Sequence, residues 1–473
     1  MCRNRNLKIV ATLGASTGTP QEIKRLFDAG ADVFRIDLAR DSRNDHRKLI
    51  EAVRQAEAEI GRPLGIMLDL QGPTMRIGGF RQSGVELVTG QGFRFDLSPG
   101  LGDHNRVCLP YPAIYASAQA GGDVYLDEGA ITLRIETISE DAIHTRVLSG
   151  GRIHDGQEIK IPHVRLHDPV LTEKDLDDLS FGLSMDVEWM ALSLVQSKLD
   201  LLAFHRQIDG KGKTHVIAKI ECREALEHLE EIVAEADAVM IVREALSVEL
   251  PMEDVLVTQR AVVRECRAQG KPVIAATQML DSMEHRSLPV AAEASHVASA
   301  VYDGIDAVVL SSETASGKYA TEAIAAIDRI AQRVERDATY DEQVHGHFPM
   351  VRAVSATEAI SAAVRGIAEL LPLCFTAAYT FSGSTCLAVA KARPRSPILG
   401  LSPSLDTARM LSLVWGVYPI HSAASPTVEN MLDDVFCEAK EAGFTESGRP
   451  FVIVAGMPFG TPGSTNLMRI AWT

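Results

Sequence analysis

The chain has 473 residues, too many for one compact core, so two or three domains are expected. Its composition, 46% hydrophobic with only 5% aromatics, fits a soluble α/β protein, and no apolar run approaches the ~18 residues that a membrane span requires. The net charge of −16 argues against a nucleic-acid surface, which needs a basic face, but it leaves room for a small phosphorylated substrate in a local basic pocket.

The opening MCRNRNLKIV enters a strand directly, without the apolar core of a signal peptide. From residue 7 to about 336, short β-rich segments alternate with helical periodicity. Strands are predicted at 7–12, 32–37, 64–69, 187–193, 215–220, 237–241, 272–276 and 306–310. Helices are predicted at Pro20–Ala29, Arg43–Ile60, Arg223–Glu235, Asp254–Gln269 and Thr321–Asp337. Eight strands with crossover helices predict a TIM (β/α)8 barrel, built from 1–71 and 166–345. The interval 72–165 breaks the rhythm. It is rich in Gly and β-formers, lacks helical periodicity, and carries alternating segments at 93–97, 123–127, 131–135 and 143–147. A small β-barrel lid domain inserted after Asp69 and Gly72-Pro73 is expected, hinged there over the barrel mouth. DEQVHGHFP reads as a linker. The remainder, 346–473, alternates again (helix 354–370, strand 373–379, helix 384–392, strand 396–400, helix 405–413) and predicts a C-terminal α/β domain. The seven cysteines are scattered with no CxxC pair, which reads as reduced thiols in a cytoplasmic protein rather than a disulfide framework or zinc site.

A barrel enzyme gathers its reactive side chains where the strand C-terminal ends converge. Three segments are built that way. KPVIAATQMLDSM (271–283) runs from an apolar strand into Thr277-Gln278, VIAKIE (216–221) ends in Lys219 and Glu221, and the segment 303–314 ends in Ser311, Ser312, Glu313 and Thr314. Arg35, Lys219 and Arg243 stand at strand ends, Arg76 lies just past Asp69, and Lys174 begins a helix. Five cations converging on one mouth suit phosphoryl transfer, which needs positive charge around a migrating phosphate and little covalent chemistry. Lys219 and Glu221 are two residues apart on an extended strand and face the same side. A structural ion pair is the plainer reading of the two, as helix capping is for Thr277. Farther on, Thr380-Phe-Ser382-Gly383-Ser384-Thr385 links a strand to a helix N-terminus, where hydroxyls, amides and the helix dipole form a phosphate nest or simply cap the helix. The Gly-rich segment 455–466 is placed to close over it.

Together with LKIVATLG (7–14), these runs resemble the pyruvate kinase family, ATQML being among its most specific. The resemblance covers nearly the whole chain and includes the order of barrel, inserted lid and C-terminal domain. It implies transfer of the phosphoryl group of phosphoenolpyruvate to ADP, giving pyruvate and ATP in glycolysis, in a homotetramer that uses Mg²⁺ or Mn²⁺. It implies that Lys219 neutralises the phosphoryl group in flight, that Glu221 binds the divalent metal, and that Thr277 stands near the enol carbon where a proton arrives. Ser193 matches an active-site serine, although Gln196 stands where an arginine is common. Arg35 and Arg76 resemble contacts to phosphate and nucleotide, Lys174 a nucleotide-side lysine, and Glu293 the acidic end of a segment supporting the subunit contact. Residues 380–385 would bind the phosphate of a sugar-phosphate or nucleotide effector.

Two motifs depart from the family. Its Val-Ala-Arg-Gly-Asp-Leu-Gly run reads Val242-Arg243-Glu244-Ala245-Leu246-Ser247. The metal-binding aspartate is Ala245, and the glycine whose backbone approaches substrate is Glu244. Either Glu244 supplies the carboxylate from one residue earlier, or the metal site is damaged or serves another chemistry. A Cβ at this position also crowds the close backbone contact. The monovalent-cation site departs further. Arg35-Ile-Asp37-Leu-Ala39-Arg40 and Asp69-Leu70-Gln71-Gly72-Pro73-Thr74 retain only Asp69, with Asp37 replacing an amide and two hydroxyls gone. Arg40 offers a fixed charge, so K⁺ is not expected to be required. Two other functions stay open on the sequence. One is a metal-dependent barrel enzyme on a related 2-oxo acid, such as an oxaloacetate-type decarboxylase; the other is a catalytically weak regulatory paralogue. Neither a nucleic acid nor a membrane is an expected partner.

Overall fold

The computed structural model of the protein describes residues 3–162, 170–210, 212–276, 279–346, 355–424, 427–458 and 465–473. Eight parallel strands close into a barrel: Lys8–Thr12, Val33–Asp37, Gly65–Asp69, Trp189–Leu192, His215–Ile220, Ala238–Val242, Val273–Ala276 and Ala307–Leu310. Each lies within two residues of its predicted span, and the eighth closes on the first in the register Lys8↔Ala307 to Ala11↔Leu310. The period of two along each strand sorts the side chains. Val10, Val33, Met67, Ile217, Met240, Ile274 and Val309 fill the barrel interior. Their neighbours Ile9, Phe34, Leu68, Val216, Val239, Val273 and Val308 join the core shared with the surrounding helices. Continued to the strand C-termini, the same alternation turns Arg35, Asp69, Lys219 and Glu221 inward at one rim.

The helices start and stop where capping chemistry directs. Thr19 caps Pro20–Ala29 by accepting from the Glu22 amide (3.2 Å), with proline at the first helical position. Arg43–Ile60 ends at Gly61, whose φ of 71° an L side chain rarely adopts. One expectation is corrected here. The helix predicted at 223–235 is two, Arg223–Glu227 and Leu229–Glu235, broken at His228 (φ −111°, ψ 20°). Neither Gly nor Pro marks the break, so local sequence carried no sign of it.

Within 72–162 the described residues form a six-stranded sheet and a two-stranded one around a separate core that includes Phe93, Phe95, Leu126, Ile131 and Ile143. The interval also holds one short helix, Pro112–Ser117, too brief to show periodicity. Its turn Asp127–Gly129 packs on the helix Arg243–Glu249, which follows the sixth barrel strand. At the other end of the barrel sits a five-stranded sheet, ordered Val417–His421, Ile398–Ser402, Thr376–Tyr379, Pro450–Gly456, Thr465–Trp472, with only the last strand antiparallel. Its domain seals the barrel base. Trp189 Nε1 donates to the Met410 carbonyl (3.3 Å), Lys8 Nζ to that of Val417 (2.6 Å), and Arg409 grips Glu57 through Nε (2.8 Å). Residues 341–346 of the predicted linker form a π-helical turn. Among the described residues no helix is long and apolar enough to cross a membrane.

Candidate active site

At the C-terminal rim, Asp69 from the third strand is the hub. Its Oδ1 accepts from Lys219 Nζ (3.1 Å) and its Oδ2 from Arg35 Nε (2.8 Å), so both oxygens are engaged. Lys219 also donates to Ser193 Oγ (2.8 Å) and lies 3.3 Å from Glu221 Oε1. The Ser193 hydroxyl donates a hydrogen bond to the Leu70 carbonyl (2.8 Å), which leaves its lone pairs directed toward the ammonium. Burial alone would lower the pKa of Lys219, but the carboxylates of Asp69 and Glu221 outweigh it and hold the ammonium above its ordinary value. Asp69 is held below the usual carboxylate range: burial opposes this, and Lys219 and Arg35 overcome it. At neutral pH Lys219 is therefore a fixed cation, not a group that gives up its proton.

The structure joins some predicted residues and separates others. Lys219, Glu221, Arg35, Ser193 and Asp69 form one bonded cluster. The ion pair of Lys219 and Glu221, the plainer reading of the two, is present in this geometry. Asp69, expected from the sequence to belong to the remnant of a monovalent-cation site, is the shared counter-ion of two strand-end cations in this structure. Asp37 sits opposite Asp69 in the strand register and is bracketed by Arg35 (3.9 Å) and Arg40 (3.6 Å). The five converging cations resolve differently as well. Arg76 is exposed on the inserted domain, where it donates to the Gly156 carbonyl (3.0 Å). Lys174 is held by Asp178, one helical turn on (2.5 Å), and by the Leu38 carbonyl (2.7 Å). Arg243 caps the end of the sixth strand, with a buried Nε that has no hydrogen-bond partner among the described residues. Burial, opposed only by Asp303, lowers its pKa. Thr277 and Gln278 lie outside the described residues.

Other contributors escaped the sequence. Thr12 Oγ1 accepts from Arg35 (3.0 Å), and the Leu194 amide donates to Glu221 Oε2 (2.6 Å) from a backbone at φ 54°. Asp175 holds the Gly72 amide (3.0 Å) while capping its own helix, and the Thr172-x-x-Asp175 capping box was the legible signal for it. Gly72 is required twice over. Its φ is 69°, and a Cβ there would come within 2.7 Å of Ser193 Cβ.

The carboxylates present fit a hard divalent cation that takes most of its oxygens from substrate and water. Each Glu221 oxygen carries one contact and keeps a lone pair, and Glu244 stands half-buried in the first turn of Arg243–Glu249. The Ala245 methyl is buried beside it, and among the described residues no group of three His, Cys, Asp or Glu could hold a metal unaided.

In the C-terminal domain the loop 380–385 is preorganised by Gly383, at φ 88°, whose amide donates to Thr380 Oγ1 (2.9 Å). Thr385 is buried against Thr465 (3.0 Å), so the hydroxyls left toward solvent belong to Ser382 and Ser384, 3.1 Å apart at the start of Ser384–Ala392. Of the segment 455–466, residues 459–464 lie outside the described residues.

Two family models match the chain: the pyruvate kinase barrel domain over residues 4–324 and the pyruvate kinase alpha/beta domain over 358–471. The chain belongs to the pyruvate kinase family. A pyruvate kinase of Methylorubrum extorquens is 42% identical over 472 residues, covering 100% of this chain and 98% of the relative. One from Agrobacterium vitis is 38% identical, covering 99% and 98%. The crystal structure of a pyruvate kinase from Cryptosporidium parvum superposes with a TM-score of 0.91 at 28% identity, covering 99% of this chain and 96% of that one. Neither a decarboxylase nor a regulatory, non-catalytic protein is among these matches.

Proposed function

We propose that this member of the pyruvate kinase family transfers the phosphoryl group of phosphoenolpyruvate to ADP, forming pyruvate and ATP. The observation that carries this reading is the cluster in which Lys219, permanently protonated, and Arg35 share the buried Asp69 at the barrel mouth. Phosphoryl transfer spreads negative charge over the migrating group, and fixed cations in a partly desolvated mouth stabilise it without reorganising. Lys219 neutralises the group in flight; Ser193 and Asp69 hold the ammonium in position. Arg35 binds substrate phosphate, and the unsatisfied Nε of Arg243 is a donor that a phosphate or carboxylate oxygen would complete. Because Lys219 keeps its proton, the proton that reaches the enol carbon comes from elsewhere, and Thr277 is the candidate. Arg76 and Lys174 act on the nucleotide side as the inserted domain closes. The Ala245 position lines the same pocket.

Glu221 and Glu244 would hold Mg²⁺ or Mn²⁺. Such an ion would supply positive charge that offsets the charge developing on the migrating phosphoryl group. K⁺ is not required, because guanidinium groups already stand 3.6 and 3.9 Å from Asp37. Ser382, Gly383 and Ser384, on a loop shaped by Thr380 and Thr385, receive an effector phosphate, and the assembly is a homotetramer. The test is a purified-protein assay of pyruvate and ATP formation with Mg²⁺ or Mn²⁺, with and without K⁺. ADP-dependent formation of both products is the expected result. Pyruvate release without ADP would indicate decarboxylation, and ligand binding without turnover would indicate a regulatory protein.

A further inference from the structure

Where the barrel base meets the C-terminal domain, a small, half-open cleft is lined by Arg267, Lys271, Lys391 and Arg393, with Asp306 as the one carboxylate in the lining. Both sides contribute. Arg267 lies in the last turn of the helix Met252–Gln269, and Lys271 precedes the seventh barrel strand. Lys391 and Arg393 stand at the C-terminal end of Ser384–Ala392. Asp306 is already committed to Arg393 (3.0 Å) and to the Val273 amide (2.9 Å), so it balances one cation. Glu358, set back from the lining, lies 3.4 Å from Lys391. Lys271 donates to the Ala236 carbonyl (2.6 Å) and Arg267 to that of Val344 (3.2 Å), dipoles that carry no net charge. Burial, and then the neighbouring Arg393, push Arg267 down to about 10. Like charges gathered in a partly desolvated interface are unfavourable unless an anion joins them.

We propose that this cleft binds a small, doubly charged oxyanion of the size of inorganic phosphate, gripped by Arg267 and Lys271 from the barrel and Lys391 from the C-terminal domain. A planar guanidinium fork flanked by ammonium groups matches a tetrahedral oxyanion. The cleft is far too small for a nucleotide, which favours a free anion. It is distinct from the mouth, which lies at the opposite ends of the strands, and from the loop 380–385, which lies at the opposite end of Ser384–Ala392. An anion there bonds to both domains and so stabilises their junction.

The test is calorimetric titration of the full-length protein with phosphate and with sulfate at constant ionic strength set by chloride, together with selenate-soaked crystals. Because each removes a charge-assisted hydrogen bond, Arg267→Met and Lys391→Met should each weaken one binding event at least about tenfold. Lys219→Ala and Ser384→Ala, which act on the mouth and on the 380–385 loop, should leave that event intact. An anomalous selenium peak is expected between Arg267 and Lys391. Absence of the peak at saturating selenate, or equal affinity in the wild type and both cleft variants, would overturn the proposal. If Arg267→Met does not fold, Lys391→Met decides alone, because its part-exposed side chain lies at the cleft edge.

Discussion

Each end of the barrel buries an aspartate that is shared between cations. At the base, Asp32 meets Arg5 (2.9 Å), Arg3 (3.4 Å) and the Ile9 amide (2.9 Å), and Arg5 continues to Asp328 (2.8 Å) and to the carbonyls of Leu7 and Gly30. At the mouth, Asp69 meets Lys219 and Arg35. Both aspartates are held below the usual carboxylate range, burial opposing and the neighbouring cations overcoming it. What separates them is access. The Arg5 side chain is 0% exposed, with its donors used on the protein itself. Lys219 and Arg35 keep 12% and 14% and face a rim where substrate oxygens can replace internal partners. On the proposed function the same chemistry is a fastener in one place and a site in the other, and a shifted pKa does not distinguish them.

Substitutions should divide along that line. The largest effect is expected from Lys219→Ala, which removes a charge-neutralising group from the mouth. Turnover should fall by about two to four decades, or roughly 3–5 kcal/mol of transition-state stabilisation, with the thermal midpoint nearly unchanged. Near-normal turnover would make the mouth another fastener. Asp32→Asn is the reverse case. It strands Arg5, Arg3 and Lys8 around a neutral amide and should cost about 3–5 kcal/mol in denaturant unfolding, while kcat of the folded fraction holds. A large loss of kcat in well-folded Asp32→Asn would erase the distinction.

Metal dependence sharpens the mouth further. Glu244→Gln should raise the Mg²⁺ needed for half-maximal rate by about tenfold or more, and Ala245→Asp in that background should restore part of it. An unchanged Mg²⁺ profile would leave Glu221 as the sole protein ligand. Acid stability offers a subtler contrast. A carboxylate whose folded pKa is depressed contributes stability above its ordinary pKa of about 3.9 and loses it as pH falls through the folded value. Circular dichroism titrated below about pH 4 should therefore show a flatter loss of stability in Asp32→Asn than in the wild type. Parallel curves would deny Asp32 that role. The smallest effect is expected from K⁺. Replacing KCl by choline chloride at constant ionic strength should leave the rate nearly constant, since Arg35 and Arg40 already attend Asp37. Strong activation specific to K⁺ would show that Asp37 recruits an ion.

How much was legible follows from the range of each signal. Periodicity and capping are local, so the eight strands and the helix starts at Pro20, Arg43 and Ser384 could be read to within a residue or two. The pairing of Lys219 with Glu221 was legible for the same reason, two residues apart on an extended strand. The break at His228 was not, because neither Gly nor Pro marks it. Nor was the role of Asp69, 150 positions from Lys219, which reaches it past Ser193 of the intervening strand segment.

The sequence by itself determined the barrel's strand count and the shared face of Lys219 and Glu221 at its rim, because backbone sterics and burial act over a few neighbours. Only the tertiary structure decided that Arg35, Lys219 and Ser193 share one aspartate, that Arg76 and Lys174 stand apart from them, and that four cations meet beneath the barrel. Those outcomes depend on which strands abut when the barrel closes and on what docks at its base. Closure fixes distances between residues far apart in the chain, which no local pattern carries.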